Sequence, residues 1–173
     1  MNSNTRKMSL TALFMALSVV LLYIGSLFPT FSPSFGMLAS LFTVAAVVES
    51  GVSYGVMCYV GASVLGLLLV PNKSSILMYI TFMGYYPVIK SLIERLNKMA
   101  LEWVIKLIFM NIVLTIDLLL SRFVFVADMN ETVFDIIPVG YALMNVVFVM
   151  YDYAITGVAK VYIEKISKHR NGR

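Results

Sequence analysis

Long apolar runs alternate with short polar segments along the whole chain. The apolar runs show no alternation with a period of two, so they do not resemble the strands of a membrane β-barrel. A helix needs about 20 apolar residues to cross the hydrocarbon core of a bilayer. The pattern therefore predicts six transmembrane helices, over residues of about 8–28, 35–48, 52–70, 75–93, 103–127 and 138–161.

The polar segments contain the residues that end helices. Proline lacks a backbone N–H and cannot continue a helix interior, so proline-bearing segments predict loops, and Pro87 predicts a kink in the fourth helix. The proline-bearing loops are Pro29–Ser34 and Pro71–Ser74. The remaining boundaries are the polar turn Glu49–Gly51, the charged stretch Glu94–Glu102, the acidic loop Asp128–Asp135 and the basic tail Tyr162–Arg173.

Composition supports the same architecture. Of the 173 residues 60% are hydrophobic and 13% charged, and the mean hydropathy is +0.90. A soluble domain is about 45–50% apolar and about 25% charged, so one water-soluble core cannot account for this chain. We expect an all-α integral membrane protein in the cell membrane, with residues 1–173 forming a single transmembrane domain, a compact bundle of about six helices.

The distribution of lysine and arginine predicts the orientation. With a cytoplasmic N-terminus, only Lys73 and Arg122 of the 13 basic residues fall on the outer side. Basic residues concentrate on the cytoplasmic side of membrane proteins, so both termini are expected there. The basic residues lie at span ends and do not cluster with aromatic residues, which excludes a nucleic-acid partner.

No catalytic or metal-binding arrangement is evident. His169 is the only histidine and stands in the basic tail, and no phosphate-binding loop or nucleophile motif occurs. Cys58, the only cysteine, lies in an apolar run and is interpreted as a packing residue. The sequence therefore predicts neither an enzyme nor a bound cofactor or metal.

Polar side chains inside the spans are the informative residues, because they are unfavourable in lipid and usually face the interior of a bundle. Several of them fall in the outer half of the fourth to sixth helices. We predict that they line a small substrate pocket open to the outside, the alternative being hydrogen bonds that merely join helices. The predicted pocket residues are Tyr79, Asp117, Ser121, Arg122, Tyr141 and Asn145.

Three further polar residues lie toward the cytoplasmic side. Asp152 is interpreted either as the buried partner of another polar residue or as a functional acid. Lys90 and Lys106 lie near inner helix ends, where a long side chain can extend to the interface.

Small residues at helical spacing predict close helix contacts. Ala12 and Ala16 are four residues apart in the first span. Gly55, Ala62 and Gly66 align on one face of the third, where ordinary internal packing explains them.

The segment Arg6–Leu17, in which a basic stretch precedes a helix with an AxxxA motif at Ala12 and Ala16, resembles the first helix of the substrate-binding S components of energy-coupling factor (ECF) transporters. The helix number, the topology and the segment Gly84-Tyr85-Tyr86-Pro87 are also similar. The resemblance implies high-affinity binding of a vitamin or related micronutrient at the outer face. It further implies association with a transmembrane coupling protein, through Ala12 and Ala16, and with a pair of ATPase subunits.

Other classes remain open. A non-transporting membrane scaffold of the MreD type has similar length and hydropathy. Polar residues in the outer half favour a binding protein over such a scaffold. A self-sufficient secondary transporter would usually contain inverted repeats, and no clear pair occurs.

Overall fold

The computed structural model describes residues 3–96, 98–125 and 131–171 of the chain, and it describes their side chains except at 3, 29, 120–137 and 165–171. Within these residues the structure is helical and contains no strand. The helices are α1 (Ser3–Leu27), α2 (Ser32–Ser50), α3 (Val52–Leu69), α4 (Lys73–Met78), α5 (Tyr86–Ile93), α6 (Met99–Phe125) and α7 (Glu131–Asn171). Short 3-10 turns cover Pro29–Phe31 and Glu94–Leu96, and a π-helical turn covers Tyr79–Met83.

Six segments of the described residues are long and apolar enough to cross a membrane, which confirms the six predicted spans and makes this a multi-pass membrane protein. They are Asn4–Leu27, Ser32–Ser50, Val52–Leu69, Lys73–Leu96, Met99–Leu119 and Pro138–Glu164. The cytoplasmic placement of the termini stays a prediction.

Gly51 separates α2 from α3 by a single residue. Its φ of 101° lies in the left-handed region, which residues with a Cβ rarely adopt. The Gly51 N–H donates to the carbonyl of Val47 at 3.0 Å and so closes the last turn of α2. The polar turn predicted at Glu49–Gly51 is therefore shorter than expected, because Glu49 and Ser50 are still helical.

The fourth span is interrupted rather than only kinked. The π-helical turn and two turn residues, Gly84 and Tyr85, precede α5. Pro87 is the second residue of α5, where its missing N–H has no intrahelical partner to lose. The expected distortion of the helix near Pro87 is confirmed, and it lies in the residues that precede the proline.

Three segments that were predicted as loop, tail and connection are partly helical, although the last membrane span begins at Pro138 as predicted. The last helix begins at Glu131, so residues 131–135 are not part of a loop, while 128–130 lie outside the described residues. It also continues to Asn171 through the predicted tail. Neither 131–137 nor 162–171 contains glycine, and the first proline is Pro138, so nothing in those residues breaks a helix. Similarly, α6 starts at Met99 inside the stretch predicted as a charged connection.

The chain divides into two compact units, Met1–Leu92 with Ile155–Arg173, and Ile93–Ala154. In the first unit α1, α2 and α3 pack closely, with Ala39, Ala46, Cys58 and Ala62 completely buried. A Cβ at Gly55 would lie 2.2 Å from Val47 Cγ2. The small residues of α3 thus have the internal packing role that the sequence predicts. The second unit consists mainly of α6 and the first part of α7. The single-domain organisation stays a prediction.

Candidate functional site

A buried ion-pair cluster connects α6 and α7 in the second unit. The Lys106 ammonium donates to Asp152 Oδ2 and to Glu94 Oε1, each at 3.1 Å. The side chains of Lys106 and Asp152 are 5% and 4% exposed, whereas that of Glu94 is 41% exposed. The same ammonium lies 5.5 Å from the ring centroid of Trp103. Lys106 therefore bridges a buried carboxylate on α7 and a partly exposed one on the turn before α6.

Burial explains why these charges are grouped. An isolated charge inside a bilayer costs about 2.5–3.5 kcal/mol on insertion scales, and more where no water or partner can reach it. Hydrogen bonds to an opposite charge offset much of that penalty. Asp152 is therefore a buried ion-pair partner, the first of the two interpretations that its sequence position allowed.

Lys90 and Lys106 do not extend to the interface as their positions near the inner helix ends suggested. Lys90 is 3% exposed and Lys106 is 4% exposed. Lys106 turns into the protein because two carboxylates meet it there. The interpretation of Lys106 from depth alone was wrong, since depth does not reveal which side chains a neighbouring element supplies.

A reciprocal amide pair forms the next level along α6 and α7. Asn111 Nδ2 donates to Asn145 Oδ1, and Asn145 Nδ2 donates to Asn111 Oδ1, both at 3.2 Å. The second hydrogens of the two amides are used by the carbonyls of Leu107 and Tyr141, each at 2.8 Å. All four amide hydrogens are therefore engaged within this helix pair.

The level farthest from Lys106 consists of two hydroxyl groups. Thr115 Oγ1 and Tyr141 Oη lie 2.9 Å apart, and Thr115 also donates to the carbonyl of Asn111 at 2.8 Å. At about 1.5 Å per residue, the nine residues from Lys106 to Thr115 extend roughly 13 Å along α6, nearly half of a bilayer core of about 30 Å. We call Lys106, Asp152, Asn111, Asn145, Thr115 and Tyr141 the polar column.

The predicted pocket residues are distributed as follows. Tyr141 and Asn145 lie together in the polar column, and Asp117 is half-buried on α6, where its helical position aligns it with the buried Met110 and Val113. The backbone of α6 includes Ser121 and Arg122, whose side chains lie outside the described residues. Whether the six residues surround a ligand stays a prediction.

Tyr79, the remaining pocket residue, belongs to the first unit and is completely buried. Its hydroxyl lies 3.5 Å from Thr43 Oγ1 on α2. Tyr79 is the first residue of the π-helical turn and lies in the first third of the fourth span.

The interruption is stabilised by tyrosine hydroxyls. Tyr59 Oη on α3 donates to the carbonyl of Ile80 at 2.9 Å, and Tyr85 Oη donates to the carbonyl of Thr81. Gly84 permits this arrangement, because a Cβ there would lie 2.6 Å from the ring of Tyr59 and 2.7 Å from that of Tyr79. A discontinuous helix needs such partners in a membrane, where water does not reach its freed carbonyls.

Ala12 and Ala16 are both exposed on α1. On the same helix Thr11, Ser18 and Leu22 are buried. The AxxxA motif thus faces away from the other helices of the first unit.

The chain matches no family model, no curated protein and no solved structure in the comparisons made with each.

Asn145 and Tyr141 were predicted as site residues from the sequence, whereas Lys106 was not. Two signals pointed to Lys106. Its spacing to Met110, Val113 and Asp117 is that of a buried helix face. Asp152 also lies seven residues after Asn145, which places both side chains on the same face of α7. A carboxylate inside a span requires a partner, and a lysine on the neighbouring helix can provide it.

Proposed function

We propose that this chain is the substrate-binding S component of an ECF-type transporter in the cell membrane. In this role it takes up a vitamin or related micronutrient that it binds at the outer face. Its partners would be a transmembrane coupling protein and a pair of ATPase subunits, which hydrolyse ATP and drive transport.

The exposure of Ala12 and Ala16 carries the proposal. A surface of small residues allows the backbones of two helices to approach closely in lipid, where no hydrophobic effect drives helices together. In the S components that the first helix resembles, this motif contacts the coupling protein. An alanine pair buried inside the bundle could not perform this role, whereas an exposed pair can.

The polar column gives further support. A scaffold that only spans the membrane has little need of six polar side chains aligned through nearly half its thickness. Tyr141 and Thr115 have the outermost hydroxyls of the column. The predicted acidic and basic pocket residues, Asp117 and Arg122, follow Thr115 on α6 toward the predicted outer face.

Substitution of the small residues tests the proposed partner contact. Ala12→Trp and Ala16→Trp should each abolish co-purification with a co-expressed coupling protein, because an indole separates the two backbones. Leu17→Trp is the matched control, since Leu17 is 38% exposed on the same helix and points about 100–140° away from the alanines. If all three variants retain the complex, the coupling protein does not dock on this face.

Substitution at Arg122 tests the substrate site separately. Arg122→Ala should weaken binding of the co-purified small molecule by roughly tenfold to a hundredfold, the loss expected for a charged hydrogen bond of about 1.5–3 kcal/mol. Lys73→Ala is the control, because Lys73 is also predicted on the outer side but donates to the carbonyls of Leu67 and Val70. Equal affinity of both variants in titration calorimetry would remove Arg122 from the site.

A further inference from the structure

An apolar groove runs along the first unit between α1, α2 and the last turns of the membrane-spanning part of α7. Its volume is about 310 Å³. Phe14 and Leu21 of α1, Leu38 and Phe42 of α2, and Val158 and Tyr162 of α7 contribute to its lining. The lining residues on all three helices lie within segments long and apolar enough to cross a membrane.

Two stacked rings contribute to the lining of the groove. The ring centroids of Phe14 and Phe42 lie 6.3 Å apart with an interplanar angle of 24°. Because α1 and α2 are consecutive spans joined by one short turn, they run in opposite directions through the bilayer. Residues before Phe14 and residues after Phe42 therefore lie toward the same face of the membrane.

Opposite charges stand at equal distances from this ring pair. Lys7 precedes Phe14 by seven residues, and Glu49 follows Phe42 by seven. Seven residues are about two helical turns, roughly 10 Å, and restore nearly the same direction on the helix. A cation and an anion are thus placed at one level, at the end of the groove near the N-terminus of α1.

Glu49 has a hydrogen-bond partner among the described residues, whereas Lys7 has no ion-pair partner among them. Glu49 Oε1 accepts a hydrogen bond from Tyr162 Oη at 2.7 Å, and this bond joins α2 to α7 at the end of the groove. Lys7 makes no ion pair with any described residue, and the residue is partly exposed. A carboxylate accepts several hydrogen bonds, so Glu49 retains capacity beside the tyrosine.

We propose that the groove binds one phosphatidylethanolamine molecule, with an acyl chain along Phe14 and Phe42. Its phosphate pairs with Lys7, and its primary amine donates to Glu49. The lipid chemistry follows from the apolar lining of the groove and from Lys7 and Glu49, one charge of each sign, each about two helical turns beyond the ring pair. A choline headgroup offers no N–H to Glu49, and a glycerol headgroup offers no positive charge.

A partner helix is less suited to this groove. At 100° per residue, Phe14 and Leu21 point about 140–200° away from Ala12 and Ala16. The groove and the AxxxA face therefore lie on opposite sides of α1. A protein docked on the alanines leaves the groove open to the bilayer.

Fluorescence quenching by brominated lipid tests the proposal. Trp103 is the only tryptophan, so a Trp103→Phe background allows one reporter to be placed at will. Phe42→Trp reports from the groove, with Leu38→Trp as a second reporter if the first does not fold. Val60→Trp is the control, because Val60 is 48% exposed near the middle of α3 and outside the groove. Each protein is reconstituted in phosphatidylcholine vesicles with a small fraction of brominated phosphatidylethanolamine, phosphatidylcholine or phosphatidylglycerol.

The groove reporter should be quenched preferentially by brominated phosphatidylethanolamine. Because all three lipids carry the phosphate, Lys7→Gln should weaken occupancy of the groove about fivefold, the effect of one basic residue near a lipid headgroup, without changing the order of preference, and Lys7→Arg should retain occupancy. Glu49→Gln should remove the discrimination against the choline lipid. The control reporter should be quenched equally by all three lipids. Equal quenching of the groove reporter by all three, its protection from all three, or a preference for phosphatidylglycerol would each overturn the proposal.

Discussion

The Lys106 ammonium lies 3.1 Å from the Asp152 carboxylate, and the two side chains are 5% and 4% exposed. They come from α6 and α7 and form one end of the polar column. The same ammonium reaches Glu94, so one cation joins two carboxylates of different exposure. Because Asp152 is buried and Glu94 is partly exposed, the two carboxylates are expected to contribute differently to the stability of the fold.

Loss of one buried partner should destabilise the fold far more than loss of the exposed one. Asp152→Ala or Lys106→Met should lower the free energy of unfolding by about 3–5 kcal/mol, because a buried charge is left without compensation. Glu94→Gln should cost about 1 kcal/mol or less, since its carboxylate is partly solvated.

Unfolding in detergent with increasing denaturant measures these differences. The double variant Lys106→Met/Asp152→Leu should recover part of the loss, because both charges are removed together. Equal effects of Glu94→Gln and Asp152→Ala would contradict the assigned roles.

The reciprocal amide pair should show measurable coupling. In a double-mutant cycle of Asn111→Ala and Asn145→Ala, we expect a coupling energy of about 0.6–1.7 kcal/mol, the range of interhelical hydrogen bonds in membranes. Either single variant leaves the other amide short of a partner. Additive effects of the two substitutions would mean that the pair does not form in the bilayer.

Two glycines should respond in opposite ways to alanine. Gly84→Ala should destabilise the protein by about 1–3 kcal/mol, because the new methyl group meets the rings of Tyr59 and Tyr79. Gly157→Ala should stabilise it by up to about 1 kcal/mol, since nothing lies within 4 Å of the added Cβ and alanine favours the helix. Thermal unfolding of the two variants in one detergent checks both signs, and a tolerated alanine at 84 would contradict the close packing at the interruption.

The six spans could be predicted from the sequence because five of the apolar runs have the length of a bilayer crossing; the run 35–48 is shorter, and its helix reaches 19 residues by including Ser32–Ser34 and Glu49–Ser50. Their ends were harder to predict, as α7 shows. An acidic segment looks like a loop, yet residues 131–135 contain nothing that prevents a helix.

The candidate site could be predicted only in part. Asn145 and Tyr141 were evident as polar residues inside a span. Their partners, Asn111 and Thr115, depend on how far α6 is shifted along α7, and no local pattern encodes that shift. The contact between Lys106 and Asp152 joins residues 46 positions apart, so helix periodicity alone could not reveal it.

Cysteine labelling tests the predicted orientation. In a Cys58→Ala background, a cysteine at Glu131 should react with an impermeant reagent in intact cells. A cysteine at Lys168 should react only after the cells are opened, because the basic tail is predicted inside. Labelling at 168 in intact cells, or none at 131, would contradict the orientation.

The central claim is that this chain binds a small molecule for uptake. Mass spectrometry of small molecules that co-purify with the protein in mild detergent tests it most directly. We expect one vitamin-like compound in near-stoichiometric amount, absent from a purification of an unrelated six-helix membrane protein from the same cells. A protein that is folded, as judged by its unfolding transition, and carries no such compound after growth in vitamin-rich medium would contradict the claim and favour a membrane scaffold.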